Sequence, residues 1–370
     1  MLLAGAASLV SCTNLIYDGE GACEDVVEVY LKYDYNIQRA DMRAAHVGHA
    51  LVYAIDQSGN VAATASVGAA ECHDKNSTVQ FRGLKPGRYT FMAMAMQNDC
   101  QTLASRSAAR FRATLPSEGS PVCDFSVKLD REAIEGSDFF AVNAPKTGLD
   151  TLWVGNSIAP QGIEVVNPDL QRSRIIRDTI SLVRDTKYLH LTLHQIQDKA
   201  GIFDKDFEVR IADANGTIDW DNSLIKDSDL LYTPFAAWTT ALSEKGVAYD
   251  SEEEASKAPA DDPIVERAAH FDISFSRLMY YATAAQGKNA ELTIVNRMNG
   301  QIVARLNLPY YLSFGRDAYS TRNYSRQEYL DREYDYHLDF FLRDDNSQWE
   351  FMNVRVNILP WVMRFQNETL

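Results

Sequence analysis

From residue 25 to the C-terminus the sequence is built from short stretches that alternate apolar and polar residues. Each is stopped within about ten residues by a turn signal. Val27, Val29 and Leu31 alternate with Glu28, Tyr30 and Lys32, and a side-chain period of two buries one face while wetting the other. Ala50–Ile55 follows and ends in Asp56-Gln57-Ser58-Gly59-Asn60; Thr78–Phe81 comes next. Pro86-Gly87 then reverses the chain, proline presetting φ and glycine taking the left-handed position, into Tyr89–Met96. Phe125–Leu129 closes the set. The spacing predicts an all-β fold of the sandwich type. Met92, Met94 and Met96 share one strand face, where flexible thioethers are expected to pack a core rather than hold copper or haem.

The length of 370 residues favours two domains. The first is expected over 25–150 and the second over 160–370, with 143–165 as the connection. In the second, 174–184 and 188–196 alternate, and 207–211 runs into the turn Asp213-Ala214-Asn215-Gly216. The acidic stretch 251–259 reads as an exposed loop. Strands resume at Ile264–Phe275, and Leu292–Arg297 and Ile302–Leu306 are joined as a hairpin across Met298-Asn299-Gly300. One short helix stands out: Ser325-Arg326-Gln327-Glu328 is a capping box and predicts a helix over 326–332. Tyr336–Leu342, Phe351–Ile358 and Trp361–Phe365 are the last strands, the final two separated by Pro360.

Ahead of this body, an apolar run from Met1 to Ala7 leads into Leu9-Val10-Ser11-Cys12. That is a lipobox: residues 1–11 are expected to be a lipoprotein signal segment, Cys12 the lipidated residue, and 12–24 a polar tether. No lysine or arginine precedes the apolar run. The signal places the body in an oxidising, extracytoplasmic space, held by acyl chains worth roughly 0.8 kcal/mol per buried methylene. An ordinary signal peptide, or a buried strand with a chance cysteine, is the alternative. No later stretch reaches the roughly 18 apolar residues of a membrane span. The remaining cysteines, Cys23, Cys72, Cys100 and Cys123, are even in number and confined to the first third. They are candidates for two disulfides; three pairings are open, and Cys72–Cys100 with Cys23–Cys123 is preferred because Cys72 and Cys100 flank a hairpin. A four-cysteine zinc site lacks any Cys-x-x-Cys spacing.

A net charge of -15 disfavours nucleic acid as a partner. Catalysis finds no support. His190 and His194 share a strand face with no third metal ligand identifiable, and read as scattered surface histidines. Ser181 and Ser313 lack the nucleophile elbow. Asp261-Asp262 and Asp344-Asp345 are turn pairs of the kind that 51 acids produce by chance. Asp213, Asn215 and Gly216 miss the later acid of a calcium loop. No cofactor and no metal are expected. Seven of the 18 tyrosines, Tyr310, Tyr311, Tyr319, Tyr324, Tyr329, Tyr334 and Tyr336, fall within 27 residues. They suit either a protein or glycan surface or the core of a tyrosine-rich sandwich.

Several of these pieces stand together: Cys12 with Ile16-Tyr17-Asp18-Gly19-Glu20-Gly21-Ala22-Cys23, the turn Leu84–Tyr89, Asp150-Thr151-Leu152-Trp153, and Gln327–Glu333 leading to Ile358-Leu359-Pro360-Trp361. In this order the chain resembles the FimB-type fimbrial anchor lipoproteins of type V pili, over nearly its whole length. The resemblance implies two transthyretin-like β-sandwich domains, a lipid anchor in the outer membrane, and a place at the base of a surface fimbria, where the protein anchors the shaft and limits its length. Pilins of this class assemble by strand exchange. Asn357–Leu370, with Trp361, Met363 and Phe365 on one face, is the candidate partner strand; pairing within its own domain is the alternative. A tip adhesin of the same pilus class and a glycan-binding surface lipoprotein are the rival functions.

Overall fold

The computed structural model describes residues 25–98, 110–143, 146–166, 174–343, 346, 348–356 and 362–367. The chain is predominantly strand, as expected. The first sheet has eight strands. In order they are Val61–Val67, His49–Asp56, Gly87–Met96, Leu152–Ser157, Ile175–Arg184, Val26–Lys32 and Val79–Arg82, with Ile163–Val165 paired to the start of Gly87–Met96. The sheet rolls up until its two edge strands touch. Val27, Val29, Val52, Phe91, Trp153 and Ile180 fill the roll, and Phe81 from one edge lies 5.5 Å from Phe91 across it.

Along Gly87–Met96 the period-2 pattern is carried by two apolar sets. Phe91, Ala93 and Ala95 point into the roll and Met92, Met94 and Met96 point out. The methionines are covered by a three-stranded sheet, Phe111–Thr114, Ser126–Leu129 and Thr217–Asp219, where Phe125 meets Tyr53 edge-on at 6.2 Å. The stripe packs a core.

Two strands of the rolled sheet come from residues expected elsewhere. Leu152–Ser157, read as part of the connection, runs between Gly87–Met96 and Ile175–Arg184. Ile175–Arg184, read as the opening of the second domain, pairs in parallel with Val26–Lys32. Alternation identifies a strand but does not say which sheet receives it. Gly155 is the position that permits the central strand: a Cβ there would sit 2.5 Å from the Ser181 carbonyl oxygen. Val61–Val67 had no alternating signal, because Ala63, Thr64, Ala65 and Ser66 offer little contrast in size or polarity.

The second half builds two further sheets. A seven-stranded one orders Ala248–Tyr249, Ala236–Ser243, Ile264–Phe275, Lys187–Gln195, Asp335–Leu342, Trp349–Arg355 and Val362–Gln366. A six-stranded one orders Ile302–Asn307, Glu291–Asn296, Phe207–Asp213, Leu230–Tyr232, Phe140–Val142 and Glu132–Ala133. Leu189, Leu191, Leu193, Phe271, Ile273 and Phe340 from the first share one core with Val209, Ile211, Leu292 and Ile294 from the second, and Tyr232 meets Phe275 edge-on at 6.2 Å. The halves exchange strands. Phe140–Val142 pairs with Leu230–Tyr232, and Thr217–Asp219 returns to pair with Ser126–Leu129.

The helix expected over 326–332 is present as Arg326–Arg332, with the Ser325 hydroxyl accepting the Glu328 amide at 3.0 Å. Glu328 turns forward to Arg332, 2.9 Å away, instead of back to the cap. Other short helices were not foreseen: Arg43–His46, Ala69–His73, Leu308–Leu312, a 3-10 run over Ser313–Arg322, and one turn, Glu252–Ala255, inside the acidic stretch read as a loop. Among the described residues no helix is long and apolar enough to cross a membrane.

The link between the two large sheets, Arg184-Asp185-Thr186-Lys187, is deeply buried. A helix C-terminus leaves carbonyls without partners. Here the Lys187 ammonium supplies them, donating to the carbonyl oxygens of Leu330, Asp331 and Glu333 at 2.7, 3.0 and 2.8 Å. Arg277 grips Asp331 with two bonds of 3.1 Å, and Arg184 lies 3.8 Å over the Tyr334 ring. From the first half, Ile37 accepts Arg322 at 2.7 Å and Tyr35 lies 4.0 Å under Arg332. The helix thus seals the junction between the halves.

Candidate functional site

The terminal strand Val362–Gln366 lies at the edge of the seven-stranded sheet, antiparallel to Trp349–Arg355. Its alternation is the expected one. Met363 and Phe365 turn inward and are half-buried, while Val362, Arg364 and Gln366 are exposed. Phe365 meets the rings of Tyr311 and Phe314 at 5.2 and 5.1 Å. Among the described residues only one side of this strand is paired, which leaves its outer row of backbone donors and acceptors as a template for another strand. Trp361, the third residue of the proposed partner face, lies outside the described residues.

So do Cys12, Cys23 and Cys100, along with Asp344-Asp345. The two described cysteines are free thiols, Cys72 buried and Cys123 exposed. The Cys72 thiol is pushed up to about 11 by burial.

The tyrosine cluster divides. Tyr319, Tyr324, Tyr329 and Tyr336 are buried; they pack the 3-10 run and the helix onto the junction, with the Tyr336 hydroxyl donating to Leu330 and Glu333 carbonyls. Tyr310 is the exposed member. With Tyr280 and Tyr281, which the sequence reading missed because they lie 29 or more residues away in the chain, it lines an open cavity of about 690 Å³ with Lys288, Asn289 and Glu291. Asp213 and Asn215 do not form a cation loop: Asn215 is buried, donating to the Ser276 and Arg277 carbonyls and accepting from Tyr232. Asp262 accepts from Ser243 and Lys245, which holds a turn.

The histidines are not scattered. Four of the seven, His190, His194, His270 and His337, occupy one face of the seven-stranded sheet, opposite its leucines. Adjacent strands place His190 beside Asp272 and His337, with ring centroids of the two histidines 4.8 Å apart. His190 Nδ1 lies 2.6 Å from Asp272, and its Nε2 3.0 Å from Asp335. These carboxylates, Asp272 first, push the His190 imidazole up to about 10. Burial pushes His194, His270 and His337 down. His194 stacks on Phe341 and is no partner of His190. The contact of His190 with Asp335 and His337 was invisible in sequence because it comes from a strand some 145 residues on, joined only through parallel pairing.

Comparison with known proteins follows the fold. The sequence model of the fimbrillin-A associated anchor proteins Mfa1 and Mfa2 matches residues 20–367. None of the curated proteins matches the chain. Among solved structures, a candidate polysaccharide-binding protein of Bacteroides thetaiotaomicron is 26% identical, covering 94% of this chain and 100% of its own, with a TM-score of 0.65. A candidate adhesin of the same species is 24% identical over 94% and 99%, TM-score 0.69. The fimbrial anchor protein Mfa2 of Porphyromonas gingivalis is 14% identical over 92% and 99%, TM-score 0.57, a likeness of fold. With the family matched from residue 20 to residue 367, the chain belongs to the Mfa2 family of fimbrillin-A associated anchor proteins, a fimbrial family and not one of enzymes.

Proposed function

We propose that this chain is a lipid-anchored subunit at the base of a surface fimbria. Cys12 carries the acyl chains that hold it in the outer membrane. The edge at Val362–Gln366 engages a shaft subunit by strand exchange, and that engagement limits fimbrial length. The observation that carries the reading is the family match over residues 20–367. The physical support is the terminal strand, five residues paired on one side with its inward side chains only half-buried. Such a segment costs little to exchange, and main-chain bonds to an incoming strand replace those it gives up.

The test compares cells with and without the gene, measuring fimbrial length and the fimbriae shed into the medium. Long, shed fimbriae in the deletion, rescued by the wild type but not by Cys12→Ala, are expected. Unchanged fimbriae would remove the reading. A chain ending at residue 356 should remain on the surface and fail to retain fimbriae.

A second reading, glycan binding, rests on the cavity lined by Tyr280, Tyr281 and Tyr310. Its rings beside amide, ammonium and carboxylate groups are the chemistry that holds a sugar. Loss of polysaccharide binding in Tyr281→Ala, with fimbriae unaffected, would separate the two.

A further inference from the structure

We propose that the outer face of the seven-stranded sheet carries a zinc site, with His190 Nε2, His337 Nε2 and an Asp335 oxygen as ligands. The three ligand atoms lie within 4.8 Å of one another. Two ligands at Zn distances of about 2.0–2.1 Å in a tetrahedral arrangement are separated by about 3.3 Å. The Asp335 Oδ1 oxygen is 3.0 Å from His190 Nε2 and 3.6 Å from His337 Nε2, which brackets that value.

The sheet holds the three in place. Lys187–Gln195 and Asp335–Leu342 are parallel neighbours, with His190 opposite His337 in register, and Asp335 is two residues before His337 and therefore on the same face. A metal-bound histidine ordinarily gives its other ring nitrogen to a carboxylate, which fixes the tautomer and strengthens the ligand. Asp272 is placed for this on the opposite neighbour, 2.6 Å from His190 Nδ1. All three ligands are half-buried, with side chains 30–36% exposed, so an ion has a path from solvent and room for water in a fourth position. Two imidazoles with one carboxylate select zinc or its transition-metal neighbours over calcium and magnesium, which require oxygen ligands. Family membership says nothing of such a site; the inference stands on this cluster alone.

The test uses the tag-free full-length chain at about pH 8 and zinc chloride alone as the probe, titrated against a chromophoric zinc indicator. One equivalent should bind. His190→Ala and His337→Ala should each weaken binding at least ten-fold, and Asp272→Asn, which touches no metal, about ten- to hundred-fold. His194→Ala and His270→Ala, on the same face, should bind as the wild type does. Cobalt should give the visible absorption of a four-coordinate site in the wild type and lose it in His337→Ala. Far-UV circular dichroism checks that each variant is folded. Absence of binding at about 100-fold excess of zinc over protein, or binding that survives both histidine substitutions in folded protein, would overturn the assignment.

Discussion

The junction between the halves and the terminal strand are both places where the second half ends in contact with something, and they are built in opposite ways. At the junction, Lys187 gives all three of its protons to carbonyl oxygens and Arg277 binds Asp331 through two bonds, with Lys187 and Asp331 buried. At the terminal strand the side chains are at best half-buried and one ladder of backbone bonds holds five residues. Buried charge is costly to expose once its partners are fixed. An edge ladder can be exchanged for an equivalent one. The contrast separates a buried joint from an edge held by one ladder, and the proposed strand exchange uses the second.

The largest effect should come from breaking the joint. Lys187→Ala strips the ammonium donor from three buried carbonyls, leaving those of Leu330 and Glu333 to share the Tyr336 hydroxyl, and removes a cation from beside Asp185 and Asp331. The expected cost is about 3–5 kcal/mol in urea unfolding. A loss under about 1 kcal/mol would mean that water replaces the ammonium and that the joint is not sealed.

A second effect sharpens what burial does to a carboxyl lacking so close a cation. Burial pushes Asp213 up to about 7, with nearby Asp229 adding to the shift. In the native state it keeps its proton through a range where the unfolded chain, near 3.8, has lost it. Between those values the unfolded state binds fewer protons, so stability falls as pH rises from about 5 to 7 and stays lowered above. Glu333, also raised to about 7 by burial, acts in the same direction. Thermal melts should show a Tm several degrees higher near pH 5 than near pH 8. Asp213→Asn, whose amide oxygen can still accept from Ala214, should flatten that slope in part and raise Tm near pH 8.

The replaceable side of the comparison predicts a smaller number. Phe365→Ala removes a half-buried ring from Tyr311 and Phe314, and about 1–2 kcal/mol is expected, below the 3–5 kcal/mol of a fully buried phenylalanine. Amide exchange should agree: 362–366 should lose protection through local opening, while Lys187–Gln195 exchanges only with the whole fold. Equal protection in both would break the comparison.

How much of this was legible beforehand follows from the kind of signal each part uses. Strands whose inward and outward residues differ, such as Val26–Lys32, were read correctly from alternation, and Ser325 marked its helix by chemistry that is local in sequence. Val61–Val67 was missed because small residues carry no contrast, and Leu152–Ser157 because its glycine, required by the close approach to Ser181, reads as a linker. The assignment of Ile175–Arg184 to the first sheet, the burial of four clustered tyrosines, and the meeting of His190 with Asp335 and His337 depend on long-range pairing. No local pattern encodes that pairing; only the parallel register fixes it.

The smallest predicted effect tests whether the helix at the joint is held by its own sequence or by the joint. Ser325→Ala removes the hydroxyl that accepts the Glu328 amide, a loss of about 1 kcal/mol where a cap acts alone. Here the other end of the helix is gripped by Lys187 and Arg277, and buried Tyr329 and Leu330 pin its middle. A seven-residue helix has no stability of its own to lose. The cap should therefore register as a modest loss of Tm with the zinc affinity and the protection of 187–195 unchanged, whereas Ser325→Ala made in a Lys187→Ala background should cost more than it does in the wild type. Strict additivity between the two would show that the cap and the joint act independently, and the helix would then be a lid resting on the junction rather than part of its structure.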